Sequence, residues 1–151
     1  MGTRQEWKRQ GDLGEASAIE WLTRAGAHVF APVFSSPDCD LIAHWGDRLE
    51  RVQVKTSIAW CRGRFQVALR TSGGNQSWNR VVKHLGPERC DRIFVHAGDG
   101  RRWYIPASAL GGGCGIRLGG PKYSEFEIEP GAPLPWFGSH EEHGDERGTS
   151  C

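Results

Sequence analysis

The sequence predicts an α+β or α/β domain with a mixed central sheet, and three observations lead to that class. The first is an N-terminal segment with apolar residues at helical spacing. The second is a run of short apolar segments, several of them alternating with polar residues, that follow one another as strands. The third is a set of short mixed elements after these strands. One helix followed by mostly consecutive strands is typical of a sheet packed against a helix.

The predicted helix covers residues 5–25. Asp12 followed by Glu15 resembles a capping box, although the helix can start earlier, and Gly26 is a suitable C-terminal stop. Glu15 lies on the predicted apolar stripe, so it is either a capping carboxylate or an acid directed at a functional site. The stripe consists of Leu13, Ala16, Ala18, Ile19, Leu22 and Ala25.

The strand candidates are short and separated by turn-forming residues. Pro32 indicates an edge strand or a strand end for the first of them. We also predict a short helix over residues 78–85 and one helical turn over residues 107–110. The strand candidates are residues 29–33, 39–44, 51–58, 64–70, 92–96, 103–106, 116–118 and 126–128.

A polar pair interrupts the third of these strands. Residues two apart in a strand share a face, so Gln53 and Lys55 point the same way while Val54 points to the other side. Burying two hydrophilic groups together is unfavourable unless they have partners or a function. A hairpin through residues 45–48 would place Asp40 beside them.

These groups suit phosphodiester hydrolysis. The oxygens of Asp40 and Gln53, with the backbone carbonyl of Val54, match the preference of Mg²⁺ for oxygen ligands. A lysine beside the metal would orient water and stabilise charge on a phosphate. The alternative explanation of the same pattern is a surface hairpin that carries polar residues.

Composition limits the remaining possibilities. The 151 residues suit one compact domain. No run approaches the roughly 20 apolar residues of a membrane span, and the N-terminus lacks a signal-peptide core, so we expect a cytoplasmic protein. The chain has no CxxC pair, no HExxH motif and no GK[ST] motif, which argues against a zinc ribbon, a zinc protease and a P-loop enzyme.

The net charge of +1 conceals a strong asymmetry. Residues 48–102 contain twelve Arg and Lys residues against four acids, whereas acids predominate from residue 123 onward. A segregated basic region is the electrostatic signature of nucleic-acid binding.

Several motifs, in order, resemble the PD-(D/E)XK nuclease superfamily. Within it they resemble the branch that has Gln in place of the second acid and includes bacterial group I intron homing endonucleases. The resemblance covers roughly residues 5–130 and implies a restriction-endonuclease-like core, a mixed sheet flanked by helices. The motifs are Gly11-Asp12-Leu13-Gly14-Glu15, Asp40-Leu41-Ile42, Arg51-Val52-Gln53-Val54-Lys55-Thr56, Arg102-Trp103-Tyr104-Ile105-Pro106 and Tyr123-Ser124-Glu125-Phe126.

The resemblance implies metal-dependent cleavage of DNA with Mg²⁺ or Mn²⁺. Carried over, Asp40 is the principal metal ligand, Gln53 replaces the second acid, Lys55 is the catalytic lysine and Glu15 supports the metal or its water. Asp38, in the preceding loop, is an alternative ligand. The neutral amide of Gln53 implies weaker metal affinity and leaves open a catalytically inactive DNA-binding module of the same fold.

The basic region then becomes the predicted DNA-binding surface. We expect a homo-oligomer, a dimer or higher, because one small domain covers little DNA. Residues 1–130 form the predicted nuclease-like domain, and residues 131–151 form a tail predicted to be disordered. A structural domain without any nucleic-acid partner is the remaining alternative. The predicted DNA contacts are Arg62, Arg64, Arg70, Arg80 and Lys83.

Overall fold

The computed structural model describes residues 2–36, 39–72 and 82–138. These residues form one α-helix, α1 (Arg4–Arg24), eleven strands, and 3₁₀ turns at Ala107–Ala109 and Ser124–Phe126. The strands are β1 (His28–Phe30), β2 (Leu41–His44), β3 (Leu49–Ser57), β4 (Trp60–Cys61), β5 (Arg64–Ala68), β6 (Arg70–Ser72), β7 (Val82–His84), β8 (Arg92–Ala97), β9 (Arg102–Pro106), β10 (Gly115–Leu118) and β11 (Glu127–Ile128).

The start of helix α1 differs from the predicted capping box. The cap is Thr3, whose hydroxyl accepts a hydrogen bond from the Glu6 backbone while the Glu6 carboxylate accepts one from the Thr3 backbone. This reciprocal pair satisfies two donors at the helix start. The helix passes through Asp12 and Glu15, which frees both carboxylates from a capping role. It ends before Gly26, whose φ of +103° favours glycine.

The buried face of α1 also differs from the predicted apolar stripe. The buried residues are Gly14, Ala18 and Leu22, whereas Leu13 and Ile19 are exposed. Gly14 explains the difference, because a Cβ built there would lie 2.4 Å from the Cγ2 methyl of Thr56 on β3. The absence of a side chain allows close packing of α1 against β3, and this contact sets which face of the helix is covered.

The central sheet has six strands in the order β1-β2-β3-β8-β9-β11. Strands β3 and β8 pair parallel, and all other neighbours in this sheet pair antiparallel. Strands β2 and β3 form the expected hairpin, whose turn is closed by the Trp45 backbone donating to Arg48. Strand β1 lies at the sheet edge, as Pro32 indicated. The mixed sheet predicted from the sequence is confirmed.

Different layers cover the two faces of this sheet. Helix α1 packs on one face, where Leu41, Val52 and Phe94 are buried with Ala18 and Leu22. A three-stranded sheet of order β10-β5-β4 packs on the other face. Its inward residues form a second core cluster with those of β8 and β9: Phe65, Val67, Ile116, Leu118, Ile93, Val95, Trp103 and Ile105. In the described residues the flanking layers are therefore one helix and one small sheet.

Three local predictions need correction. The segment predicted as a helix over residues 78–85 contains strand β7, which pairs with β6, while residues 73–81 lie outside the described part of the chain. The predicted strand of residues 64–70 divides into β5 and β6, because the Leu69 backbone bonds to the Cys114 carbonyl between them. The predicted strand of residues 126–128 is shorter, because Phe126 ends a 3₁₀ turn and only Glu127–Ile128 forms β11.

The beginning of the predicted tail packs onto the domain. Leu134 is buried, and the ring of Phe137 lies so close to Gly98 that a Cβ there would approach it to 2.2 Å. The indole of Trp136 donates to the side-chain oxygen of Gln10 on α1 at 3.1 Å. Residues 131–138 therefore contact the sheet and the helix. Residues 139–151 lie outside the described part of the chain.

No helix among the described residues is long and apolar enough to cross a membrane.

Candidate active site

The site lies where strand β2 begins and separates from β3. The Asp40 backbone donates to the Val52 carbonyl at 2.9 Å, and the Asp40 carboxylate accepts the Val54 backbone N–H at 2.8 Å. Asp40 thus holds the end of the hairpin with both its backbone and its side chain. This fixed position follows from the antiparallel register, in which Leu41 faces Val52.

A cavity of about 310 Å³ opens at this point. It brings together all four residues predicted to be catalytic, although they come from the helix, the hairpin start and β3. Gly11 and Thr56 also line the cavity. The lining residues are Gly11, Asp12, Glu15, Asp40, Gln53, Val54, Lys55 and Thr56.

Gln53 is buried, with 8% of its surface exposed. Its side-chain oxygen Oε1 has no hydrogen-bond partner among the described residues. A buried amide oxygen without a partner is unfavourable, and a cation beside it would remove that deficiency. This oxygen is therefore a suitable ligand for a hard divalent cation.

The backbone carbonyl of Val54 faces the same gap. Backbone groups of alternate residues in a strand face the same neighbour. Because the Val52 carbonyl and the Val54 N–H both bond to Asp40, the backbone groups of Val54 face the β2 side of β3. Strand β2 has turned away there, so this side of β3 borders the cavity.

Burial acts on both charges at the site. It is the main cause that raises the pKa of Asp40, and the Val54 N–H and the nearby charge of Lys55 act in the opposite direction. It also lowers the pKa of Lys55, against the attraction of Asp40. Each charged form is therefore disfavoured in the folded protein. A bound cation and a phosphate would compensate for these costs.

Glu15 reaches the same cavity from α1. Its pKa is raised by burial and then by the neighbouring charges of Asp40 and Asp12, while Lys8 lowers it. Asp12 was not predicted as a site residue, because its position three residues before Glu15 suggested a cap. On a helix that starts before Asp12, residues three apart are neighbours on the helix surface. The spacing between Asp12 and Glu15 is therefore the signal that would have identified Asp12.

A larger cavity, of about 730 Å³, lies between α1 and residues 129–135. Its polar groups satisfy one another. His96 bonds to the Ser17 hydroxyl at 2.7 Å and to the Ala132 carbonyl at 2.8 Å. Arg102 donates to Ser17 and to the Glu129 carbonyl. We therefore place the chemistry in the smaller cavity, where buried polar groups lack such partners.

The predicted DNA contacts are only partly described. Arg62 is exposed in the tight β4–β5 turn, with a φ of +51°, and Arg64 begins β5. Arg70 is exposed on β6 and contacts the Cys114 thiol. Arg80, the side chain of Lys83 and the alternative ligand Asp38 lie outside the described part of the chain.

A mixed sheet thus carries a hairpin acid, a buried amide and a lysine at one cavity. The chain belongs to the PD-(D/E)XK endonuclease family, because the family's sequence profile matches residues 5–119. Members of this family are nucleases that generally use divalent metal ions, and the family implies DNA as substrate.

A solved structure with a similar fold is that of a bacterial homing endonuclease, I-Ssp6803I. The two chains are 22% identical, the TM-score is 0.62, and the similarity covers 84% of this chain and 88% of the other. The likeness shows a shared restriction-endonuclease-like fold. Comparison with curated proteins gives no significant match.

Proposed function

We propose that this protein is a DNA endonuclease that depends on Mg²⁺, or on Mn²⁺ in its place. The observation that carries the proposal is the cavity at the hairpin end. There the anchored Asp40 carboxylate, the unpartnered Gln53 oxygen and the half-buried Lys55 meet. The family supports the reaction class, and these residues supply its chemical groups.

Asp40, Gln53 and the Val54 carbonyl would hold the metal, with Glu15 beside them. Among the described residues, no three His, Cys, Asp or Glu side chains cluster to hold a metal ion. The site therefore depends on one anchored carboxylate and two neutral oxygens, and we expect modest affinity that improves when substrate phosphates add ligands. When bound, the metal would neutralise phosphate charge and favour an ionised water.

The protein's own groups perform the remaining tasks. The Lys55 ammonium stabilises the negative charge that develops on the scissile phosphate, and partial burial strengthens this interaction. Glu15, whose pKa is raised, orients the attacking water and takes up a proton. The Asp40 carboxylate is held by the Val54 N–H, so little reorganisation is needed when substrate binds.

Cleavage assays test the proposal directly. Supercoiled, linear and branched DNA are incubated with the protein in Mg²⁺, in Mn²⁺ and in EDTA. We expect Asp40→Ala to lower the cleavage rate at least about a hundredfold, because the principal ligand is lost. Asp40→Asn retains an acceptor for the Val54 N–H, and it should be equally inactive if the charge is what matters.

Asp47→Ala is the matched control, since it removes an exposed carboxylate from the turn of the same hairpin. It should cleave at the wild-type rate. Full activity of both Asp40 variants would overturn the proposed site. Metal-independent binding of DNA without cleavage of any substrate would favour the second candidate, an inactive DNA-binding module, which the neutral Gln53 makes the specific alternative.

We further propose that the protein acts as a homo-oligomer in the cytoplasm. One domain of this size contacts few base pairs, so a second copy would extend the DNA site. Sedimentation of the protein with and without duplex DNA measures the number of copies.

A further inference from the structure

A second polar cavity, of about 540 Å³, lies on the three-stranded sheet, away from the metal site. Three cationic side chains line it, from β5, from β10 and from the segment after β10. Glycine backbone at positions 113, 115 and 120 forms much of its wall. We call it the basic cavity, and its cations are Arg64, Arg117 and Lys122.

Strand alternation places two of these cations on the outer face of the small sheet. Phe65 and Val67 of β5 point inward to the core, so Arg64 and Gln66 point outward. Arg117 of β10 is paired with Gln66. The guanidinium groups of Arg64 and Arg117 therefore belong to the same face of this sheet and both line the basic cavity.

The positive charge of the basic cavity is not neutralised within the part of the chain that is described. Neither Arg64, Arg117 nor Lys122 forms an ion pair there; Lys122 instead lies 5.2 Å from the centre of the Tyr123 ring. Other arginines of the sheet layers are paired with carboxylates: Arg51 with Asp91, Arg92 with Glu50, Arg101 with Glu127 and Arg102 with Glu20. Unpaired cations that converge on one concavity favour an anionic ligand.

Gly120 fixes the position of one of these cations. A Cβ at this glycine would lie 2.3 Å from Nε of Arg64, so the guanidinium lies directly against the backbone there. The guanidinium also donates to the Gly63 carbonyl at 3.0 Å, so backbone contacts on both sides restrict the Arg64 side chain. Such preorganisation lowers the entropy lost on binding.

The basic cavity lies within reach of DNA held at the metal site. Ser57 lies two positions after Lys55 on β3, its hydroxyl donates to the Gln66 carbonyl, and Gln66 pairs with Arg117. With about 3.3 Å per residue and about 5 Å between strands, this path is at most about 20 Å. That length corresponds to about six base pairs of DNA.

We propose that the basic cavity binds a backbone phosphate of the DNA, several base pairs from the bond that is cut. The inference rests on the proposed function, and it adds Arg117 and Lys122 as contacts that position the duplex. These contacts reach phosphates rather than base edges, so they supply affinity without sequence preference.

The test is DNA binding measured in EDTA, so that cleavage does not interfere. Fluorescence anisotropy of a labelled duplex is followed at several salt concentrations for the wild type and for Arg117→Ala with Lys122→Ala. We expect the double variant to bind at least about tenfold more weakly and its salt slope to fall by about one to two. Arg24→Ala changes an exposed arginine at the C-terminal end of α1. It is the control and should match the wild type.

Gly120→Ala is a second variant that keeps every charge. Its added methyl displaces the Arg64 guanidinium, so affinity should fall severalfold. Unchanged affinity and salt slope in the double variant would overturn the inference. Inorganic phosphate that stabilises the wild type but not the double variant, with DNA affinity equal in both, would also overturn it, because the cavity would then hold free phosphate.

The two proposals fail separately. Loss of DNA affinity in the double variant, with no cleavage by the wild type in Mg²⁺, leaves the basic cavity supported and removes the proposed endonuclease activity. Metal-dependent cleavage by the wild type, with normal DNA binding by the double variant, supports the endonuclease activity and removes the phosphate site in the basic cavity.

Discussion

Replacement of Lys55 by methionine should lower DNA cleavage by about a thousandfold and, at the same time, raise the melting temperature. The loss of activity follows from the loss of the only charge on β3 that faces the scissile phosphate in the proposed mechanism. The gain in stability follows from burial. Desolvation lowers the pKa of Lys55 more than the attraction of Asp40 raises it, so the charged amine destabilises the fold at neutral pH.

Methionine is similar in length and has no charge to desolvate. Removal of such a functional charge typically stabilises by about 1 kcal/mol, which corresponds to about 2–4 °C in a domain of this size. The measurements are thermal unfolding without metal and cleavage at saturating DNA. Arg9→Met, at an exposed arginine of α1, is the control and should alter neither quantity appreciably. A lower melting temperature for Lys55→Met would show that the lysine is structural.

Replacement of Gly14 by alanine should destabilise the domain even though alanine favours helices. The added Cβ would lie 2.4 Å from the Thr56 methyl and 3.4 Å from a Val54 methyl, so helix and strand must separate. Overpacking of this kind costs about 1–3 kcal/mol, whereas the helix gains at most about 1 kcal/mol from the substitution. We expect a net loss of about 1–2 kcal/mol in the free energy of unfolding, and slower cleavage because Glu15 moves with the helix.

The same helix provides a matched control. At Gly11 an added Cβ meets no atom within 4 Å, so Gly11→Ala should stabilise by up to about 1 kcal/mol. Thr56→Ser removes the obstructing methyl but keeps the hydroxyl that accepts from Gln10. Combined with Gly14→Ala, it should restore most of the lost stability. Urea unfolding of the four proteins gives this cycle, and simple additivity of the two substitutions would contradict the contact.

Much of the site could be predicted because strand geometry is simple. A period of two places Gln53 and Lys55 on one side of β3, and a short turn brings Asp40 back to the same strand. Both inferences need only the local sequence. The helical stripe identified Glu15 only as either a cap or a site acid, and the resemblance to a nuclease family then assigned it to the site. No strand pattern can reach this residue, because it lies on a helix distant in sequence.

The face of α1 could not be predicted in the same way. Periodicity favoured Leu13 and Ile19, but close packing at Gly14 turned the helix so that both are exposed. Gly14 packs closely on β3 because it has no side chain. A pattern of apolar residues cannot reveal such a contact, because glycine does not count as an apolar position in it. The two-stranded sheet of β6 and β7 was missed for a related reason. Both strands are short, and their pairing depends on tertiary contacts rather than on propensity.

The contact between Gln10 and Trp136 has a consequence for the order in which the fold is completed during synthesis. The side-chain amide of Gln10 donates to Thr56 of β3 and accepts from Trp136, which is made 126 positions after Gln10. At about 5–20 residues per second, a ribosome needs on the order of ten seconds to make that stretch. During this interval α1 has emerged but lacks its final partner. We expect protease resistance of stalled nascent chains to rise only after Trp136 has left the exit tunnel.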